Sequence, residues 1–203
     1  MFVGADTSAN RVAASIERVK RARKTIGAEA QLMIDGWMKW DVETSLAVAE
    51  KIGEYDVGWL EDPLAPDDWA GYDTLREKCP VPIAGGEHDF TVRVFSDLIE
   101  RRIYQVLQPD VCWCGGLTAL IEIYEHAARA GVRVCPHRGA EVWSLHAISA
   151  LDPEPLAESG RPWMGWVAGQ PPISNGRIKL PESGVGFGLH LDEDRLENLW
   201  EGS

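Results

Sequence analysis

Six side chains able to do chemistry recur at near-constant spacing: Asp35, Glu61, Glu87, Asp110, His137 and Glu158 are separated by 26, 26, 23, 27 and 21 residues. A solitary carboxylate would read as a solvated loop acid. Six polar groups in register, each close behind a short apolar run, read as a site. The first three are carboxylates with no thiol or imidazole among them, which is a donor set for a hard cation. Mg²⁺ suits it, taking one oxygen from each of Asp35, Glu61 and Glu87 and leaving positions for substrate or water. Such an ion binds a substrate carboxylate and stabilises the charge formed when the neighbouring carbon loses a proton. That proton is weakly acidic, so a base is needed. His137 is the candidate, with Asp110 on the adjacent strand to hold its tautomer and raise its basicity.

The elements that must position these groups alternate regularly. Apolar runs at 31–34, 57–60, 81–84, 104–107 and 132–135 predict strands leading to Asp35, Glu61, Glu87, Asp110 and His137, and 155–157 predicts one last strand ending near Glu158. Between them, helical spacing predicts helices over 11–26, 42–52, from 67–68 to before Pro80, 91–100, 116–130 and 142–151. Gly27, Gly53 and Gly131 stop three of these. Short apolar strands alternating with amphipathic helices imply a parallel sheet with crossover helices. In a β/α barrel, side chains at the C-terminal ends of the strands converge on one mouth. The rival, an open doubly wound sheet, announces itself with a Gly-rich phosphate turn after its first strand. Gly85-Gly86 and Gly115-Gly116 are too sparse for that motif. The expected organisation is a partial β/α barrel over 1–170 and a tail over 171–203, made of short strands or loops packed on the barrel.

Bulk properties set outer limits. The 203 residues fit one domain but fall short of the roughly 250 of a complete β/α barrel. The formal net charge of −12 argues against nucleic acid or an acidic membrane surface as a partner. No apolar run reaches membrane-spanning length, and the first ten residues lack the layout of a secretory signal. Four cysteines without C-x-x-C spacing predict reduced thiols and a cytoplasmic setting. Cys112 and Cys114 share a face at a strand end, which leaves a zinc or redox role as the alternative there.

The segments Met33-Ile34-Asp35-Gly36-Trp37, Trp59-Leu60-Glu61-Asp62-Pro63-Leu64, Gly86-Glu87-His88, Gln108-Pro109-Asp110 and Pro136-His137 resemble the barrel domain of the enolase superfamily. Within it they are similar to the mandelate racemase subgroup, and among those to the acid-sugar dehydratases of the L-rhamnonate dehydratase type. The resemblance runs from about residue 10 to 190. It implies that Asp35, Glu61 and Glu87 ligate Mg²⁺, that His137 is the general base oriented by Asp110, and that Glu158 hydrogen-bonds the enediolate oxygen. His88 would protonate the departing hydroxyl, or else serve packing. The implied reaction is loss of water from an aldonic acid such as L-rhamnonate, giving a 2-keto-3-deoxy acid.

The sequence departs from this pattern in two places. Arg138 follows His137 where the family commonly has glycine, and the loop after it is one residue longer. Arg138 is expected to face water, with a substrate carboxylate or hydroxyl as the alternative partner, and Glu154 rivals Glu158 for the last acid. Members of the family also carry a capping domain and two further strands ahead of Asp35. This chain is therefore expected to be an incomplete barrel, a homo-oligomer or one completed by a missing N-terminal portion. Two other outcomes stay open: a catalytically silent fragment with a residual metal site, and a racemase or epimerase of the same superfamily.

Overall fold

The computed structural model describes residues 9–139, 142–160, 164–181 and 184–201. Five strands, β1 (Leu32–Asp35), β2 (Val57–Glu61), β3 (Ile83–Gly85), β4 (Val106–Leu107) and β5 (Arg133–Val134), form one parallel sheet in the order of the chain. An unbroken β1-β2-β3-β4-β5 order is that of a barrel wall. A doubly wound sheet would reverse direction at a switch point.

The helices lie where the spacing predicts them. α1 (Ala9–Ile26), α2 (Val42–Ile52), α3 (Trp69–Lys78), α4 (Thr91–Arg101), α5 (Leu117–Ala130) and α6 (Val142–Leu151) alternate with the strands. Asp41 caps α2 by accepting the Thr44 N–H at 2.7 Å, and Asp68 caps α3 through the Gly71 N–H at 2.9 Å. α5 buries Leu120, Ile123, Tyr124 and Ala127, a stripe at helical spacing, and Gly131 ends it in the left-handed conformation.

Strand alternation divides the apolar residues into two layers. Ile34, Leu60, Ile83 and Leu107 point outward into the large core shared with the helices. Met33, Trp59, Ala84, Val106, Cys135 and Leu156 form a separate inner cluster.

The last expected strand, over 155–157, is not formed. Pro153 and Pro155 remove backbone donors where a ladder would begin, and the segment carries no strand pairing. Its alternation survives nonetheless: Leu156 joins the inner cluster and Ala157 packs on the outer one. The tail holds more structure than expected. β6 (Val167–Ala168) pairs antiparallel with β9 (His190–Leu191), β7 (Ile173–Ser174) pairs with β8 (Arg177–Ile178), and α7 (Glu193–Glu201) follows. Phe187 meets the rings of Trp143 and His146 on α6, both at 5.7 Å.

Candidate active site

The inner layer predicts what stands above it. Two residues beyond five of the six inner apolar groups, the same face of the chain presents a polar one: Asp35 above Met33, Glu61 above Trp59, Gln108 above Val106, His137 above Cys135 and Glu158 above Leu156. Backbone bonds extend the sheet to this level. Gly36 N–H donates to Glu61 O, Asp62 N–H to Ala84 O, and Gln108 N–H to Gly85 O. Asp35, Glu61, Gln108 and Glu158 line one cavity of about 360 Å³, floored by Trp59 and Leu156. Of the two acids weighed for the last position, Glu158 is in this cavity. Glu154 lines a different one beside Tyr124 and Arg133.

Glu87 lies one turn past β3 and bridges to the imidazoles. Its Oε2 is 3.0 Å from His137 Nε2 and its Oε1 is 3.0 Å from His88 Nε2. His137 Nδ1 is hydrogen-bonded to Asp110 Oδ2 at 2.9 Å, so His137 sits between two carboxylates. Asp110 is buried and otherwise held by the Cys112 N–H at 2.7 Å and by Arg138 Nη2 at 3.1 Å. Burial works against its ionisation, but the His137 bond and the other donors outweigh it and hold the carboxyl below its usual value. For His137, burial favours the neutral ring; the Asp110 hydrogen bond and the charges of Glu87 and Glu158 prevail, and its pKa is raised.

The carboxylates oppose one another's ionisation. Burial raises Glu61 to about 7, with Glu158 and Asp35 adding to it. Burial likewise raises Asp35 and Glu87, and Glu158 pushes both further. These groups therefore feel one shared field. Among the described residues, the set whose ligand atoms all lie within 4.8 Å of one another is Asp62, Glu87 and His88. Asp35 and Glu61 are outside that set. Asp35 accepts the Trp37 N–H at 2.7 Å, and Glu61 accepts Trp59 Nε1–H at 3.1 Å. The donor chemistry nonetheless fits a hard cation. Oxygen donors gather around one cavity, their ionisation is held back chiefly by burial, and buried atoms beside them (Asp62 Oδ2, Gln108 Oε1) have no hydrogen-bond partner.

Sequence reading gave no role to three residues here, Asp62, Asp89 and Phe90. Asp62 and Asp89 are buried acids flanking the expected ligands, Asp62 pushed well above the carboxylate range by burial and by Glu87, Asp89 to about 6 by burial. Arg138 was expected to face water; its guanidinium instead turns inward to Asp110, while its backbone N–H donates to Glu158 Oε2 at 2.8 Å. Phe90 and Trp113, both exposed at the mouth, stack at 6.1 Å, and Trp113 meets the His88 ring at 5.6 Å. A local signal marks the mouth: non-glycine residues with left-handed backbone follow β1 (Trp37, Met38), β2 (Asp62), β3 (Thr91) and β5 (Arg138). Strain of this kind gathers at functional sites.

Known proteins resemble this chain in sequence and fold. L-rhamnonate dehydratase of Saccharopolyspora erythraea is 37% identical over 193 residues, covering 89% of this chain and 49% of that protein. The chain thus spans about half the length of this relative. L-talarate dehydratase from Polaromonas sp. JS666, solved with Mg and L-glucarate, superposes with a TM-score of 0.81 at 29% identity, covering 94% of this chain and 52% of the other. A racemase from Streptomyces coelicolor A3(2) with bound magnesium gives 0.83 at 26% identity, covering 93% and 52%. Residues 1–195 match the model of the enolase C-terminal domain-like family, and the chain, an incomplete β/α barrel of that type, belongs to it.

Proposed function

We propose that this chain carries the catalytic face of a Mg²⁺-dependent dehydratase acting on an acid sugar, an aldonate such as L-rhamnonate, and giving a 2-keto-3-deoxy acid. The observation that carries the reading is the placement of Asp35, Glu61 and Glu158 around one cavity, with Glu87 and the His137–Asp110 pair beside it. Asp35, Glu61 and Glu87 would hold the ion, which when bound neutralises the substrate carboxylate and makes the neighbouring C–H more acidic. His137 takes the C2 proton at Nε2, because Nδ1 is committed to Asp110. The electron pair left on C2 forms the double bond to C3 as the C3–OH bond breaks. A proton joins the departing hydroxyl and water leaves; His88, whose ring is at the same mouth, is the candidate donor. The enol then tautomerises to the keto acid. In its acid form Glu158 would donate a hydrogen bond to the substrate carboxylate oxygen on which charge develops.

The 37% identity to an L-rhamnonate dehydratase and the likeness to L-talarate dehydratase support dehydration. Among the described residues no helix is long and apolar enough to cross a membrane. All four cysteines are free, which supports a cytoplasmic setting. We also read the absence of nucleic-acid partners, self-association or completion by a further N-terminal portion, and the division into barrel (1–170) and tail (171–203) as parts of this proposal. A second reading, a metal-binding barrel portion without turnover of its own, is favoured by one observation: among the described residues β1 and β5 end the sheet, with no strand pairing between them. Incubation with Mg²⁺ and a panel of acid sugars, followed by detection of 2-keto-3-deoxy acids, separates the two. Turnover abolished in Glu87→Gln and His137→Gln supports the first. Mg²⁺ binding with no product from any aldonate supports the second, and full activity in Glu87→Gln refutes the ligand assignment.

A further inference from the structure

Two donors share one oxygen in the dyad. The imidazole of His137 and the guanidinium of Arg138 both reach Asp110 Oδ2, at 2.9 and 3.1 Å. The other oxygen, Oδ1, is held by the Cys112 backbone N–H, and Asp110 is 3% exposed. The orientation of this carboxylate is therefore fixed without Arg138. What the guanidinium changes is the share of Oδ2 left to the imidazole, since an oxygen serving two charge-assisted donors gives each a weaker bond than it would give one alone. The backbone adds a second observation. Arg138 has φ +47°, a region that glycine enters freely and side-chain-bearing residues disfavour. An arginine there needs a contact that offsets the strain, and its bond to Asp110, with the side chain 24% exposed, is such a contact.

We propose that Arg138 is a positioning residue for the dyad: by sharing Asp110 Oδ2, its guanidinium sets the strength of the His137 Nδ1–H···Oδ2 bond and so how firmly the imidazole is held in its orientation. The importance of that bond rests on the reading of His137 as the base; the bond itself is measurable without it. Arg138→Gly removes the guanidinium while suiting the left-handed backbone, so the Glu158 contact made by the main chain is kept. Arg138→Lys keeps a cation on a flexible stem. Proton NMR of the chain, free of metal and substrate, reads the His137 Nδ1–H as an exchange-protected downfield resonance, assigned by its loss in His137→Gln. The expected result is a further downfield shift in Arg138→Gly and a return toward the wild-type position in Arg138→Lys. An unmoved resonance in Arg138→Gly, a shift that lysine does not reverse, or a wild-type chain without the resonance each overturns the proposal. A chain that dehydrates no sugar acid can still show the shift. One that turns over while its resonance stays fixed keeps the proposed reaction and loses this role for Arg138.

Discussion

Replacing Glu61 with glutamine stabilises the metal-free chain, and does so only where Glu61 would be ionised. Folding moves this carboxyl from its ordinary value of 4.5 to about 7, chiefly by burial and further by the charges of Glu158 and Asp35. The native state therefore holds a proton that the unfolded chain releases between those two values, and stability falls as pH rises through that window. At about 1.4 kcal/mol per pH unit, the loss amounts to about 3 kcal/mol above pH 8 and about 1 kcal/mol near pH 5. Glutamine keeps the shape and an oxygen for the Trp59 indole N–H, and carries no charge at either pH. For a chain of 203 residues, about 3 kcal/mol corresponds to a rise of roughly 6–12 °C in Tm. The assay is thermal unfolding in chelator at pH 5 and pH 8.5, then at pH 8.5 with Mg²⁺. Glu61→Gln should outlast wild type in chelator at pH 8.5, match it within a few degrees at pH 5, and gain less from Mg²⁺ than wild type does. Equal effects of the substitution at both pH values would refute the electrostatic reasoning. Loss of stability at both would show that Glu61 is held by its hydrogen bonds more than it is opposed by its surroundings.

Two further outcomes follow from the same geometry. Mg²⁺ must displace the Glu61 proton, so titration calorimetry should find binding about tenfold tighter at pH 8 than at pH 6, with that dependence flattened in Glu61→Gln. Gly85→Ala places a Cβ 2.6 Å from Asp62 Oδ1 and 2.7 Å from the Tyr104 ring, and should lower urea stability by about 1–3 kcal/mol, as overpacking does; an unchanged midpoint would mean that the Asp62 side chain is free to move.

The strand–helix rhythm was legible because each apolar run ends in a polar group and helices such as α5 end in a glycine. The pairing of His137 with Asp110 was legible for the same reason, since alternation along adjacent parallel strands leaves both facing inward. Three features resisted. Leu156 and Ala157 keep the in–out pattern of a strand, yet Pro153 and Pro155 deny it a ladder, and periodicity does not register missing donors. α7 is a mostly polar helix, and its useful signal was the pair Glu193 and Asp194 in the first turn. Asp62 and Asp89 are buried close enough to Tyr72 and Tyr104 to add to the rise that burial gives both phenols, and an acid just past a strand carries no mark of burial in its own identity.

Glu87 stands among acids whose burial and mutual charge oppose ionisation. Asp35, Glu61, Asp62 and Glu87 all have raised pKa values, and the charge of Glu87 is among the causes for Asp62. Glu87 answers that field by turning each oxygen to an imidazole at 3.0 Å, His137 on one side and His88 on the other. A divalent ion held by the carboxylates would attract Glu87 more strongly than an imidazole, which carries charge only when protonated. Glu87, engaged with such an ion, would no longer occupy His137 Nε2, whose ring is separately held through Nδ1 by Asp110. On the proposed reading of His137 as the base, one ion would then both supply the charge that stabilises the product of deprotonation and free Nε2 to take the proton.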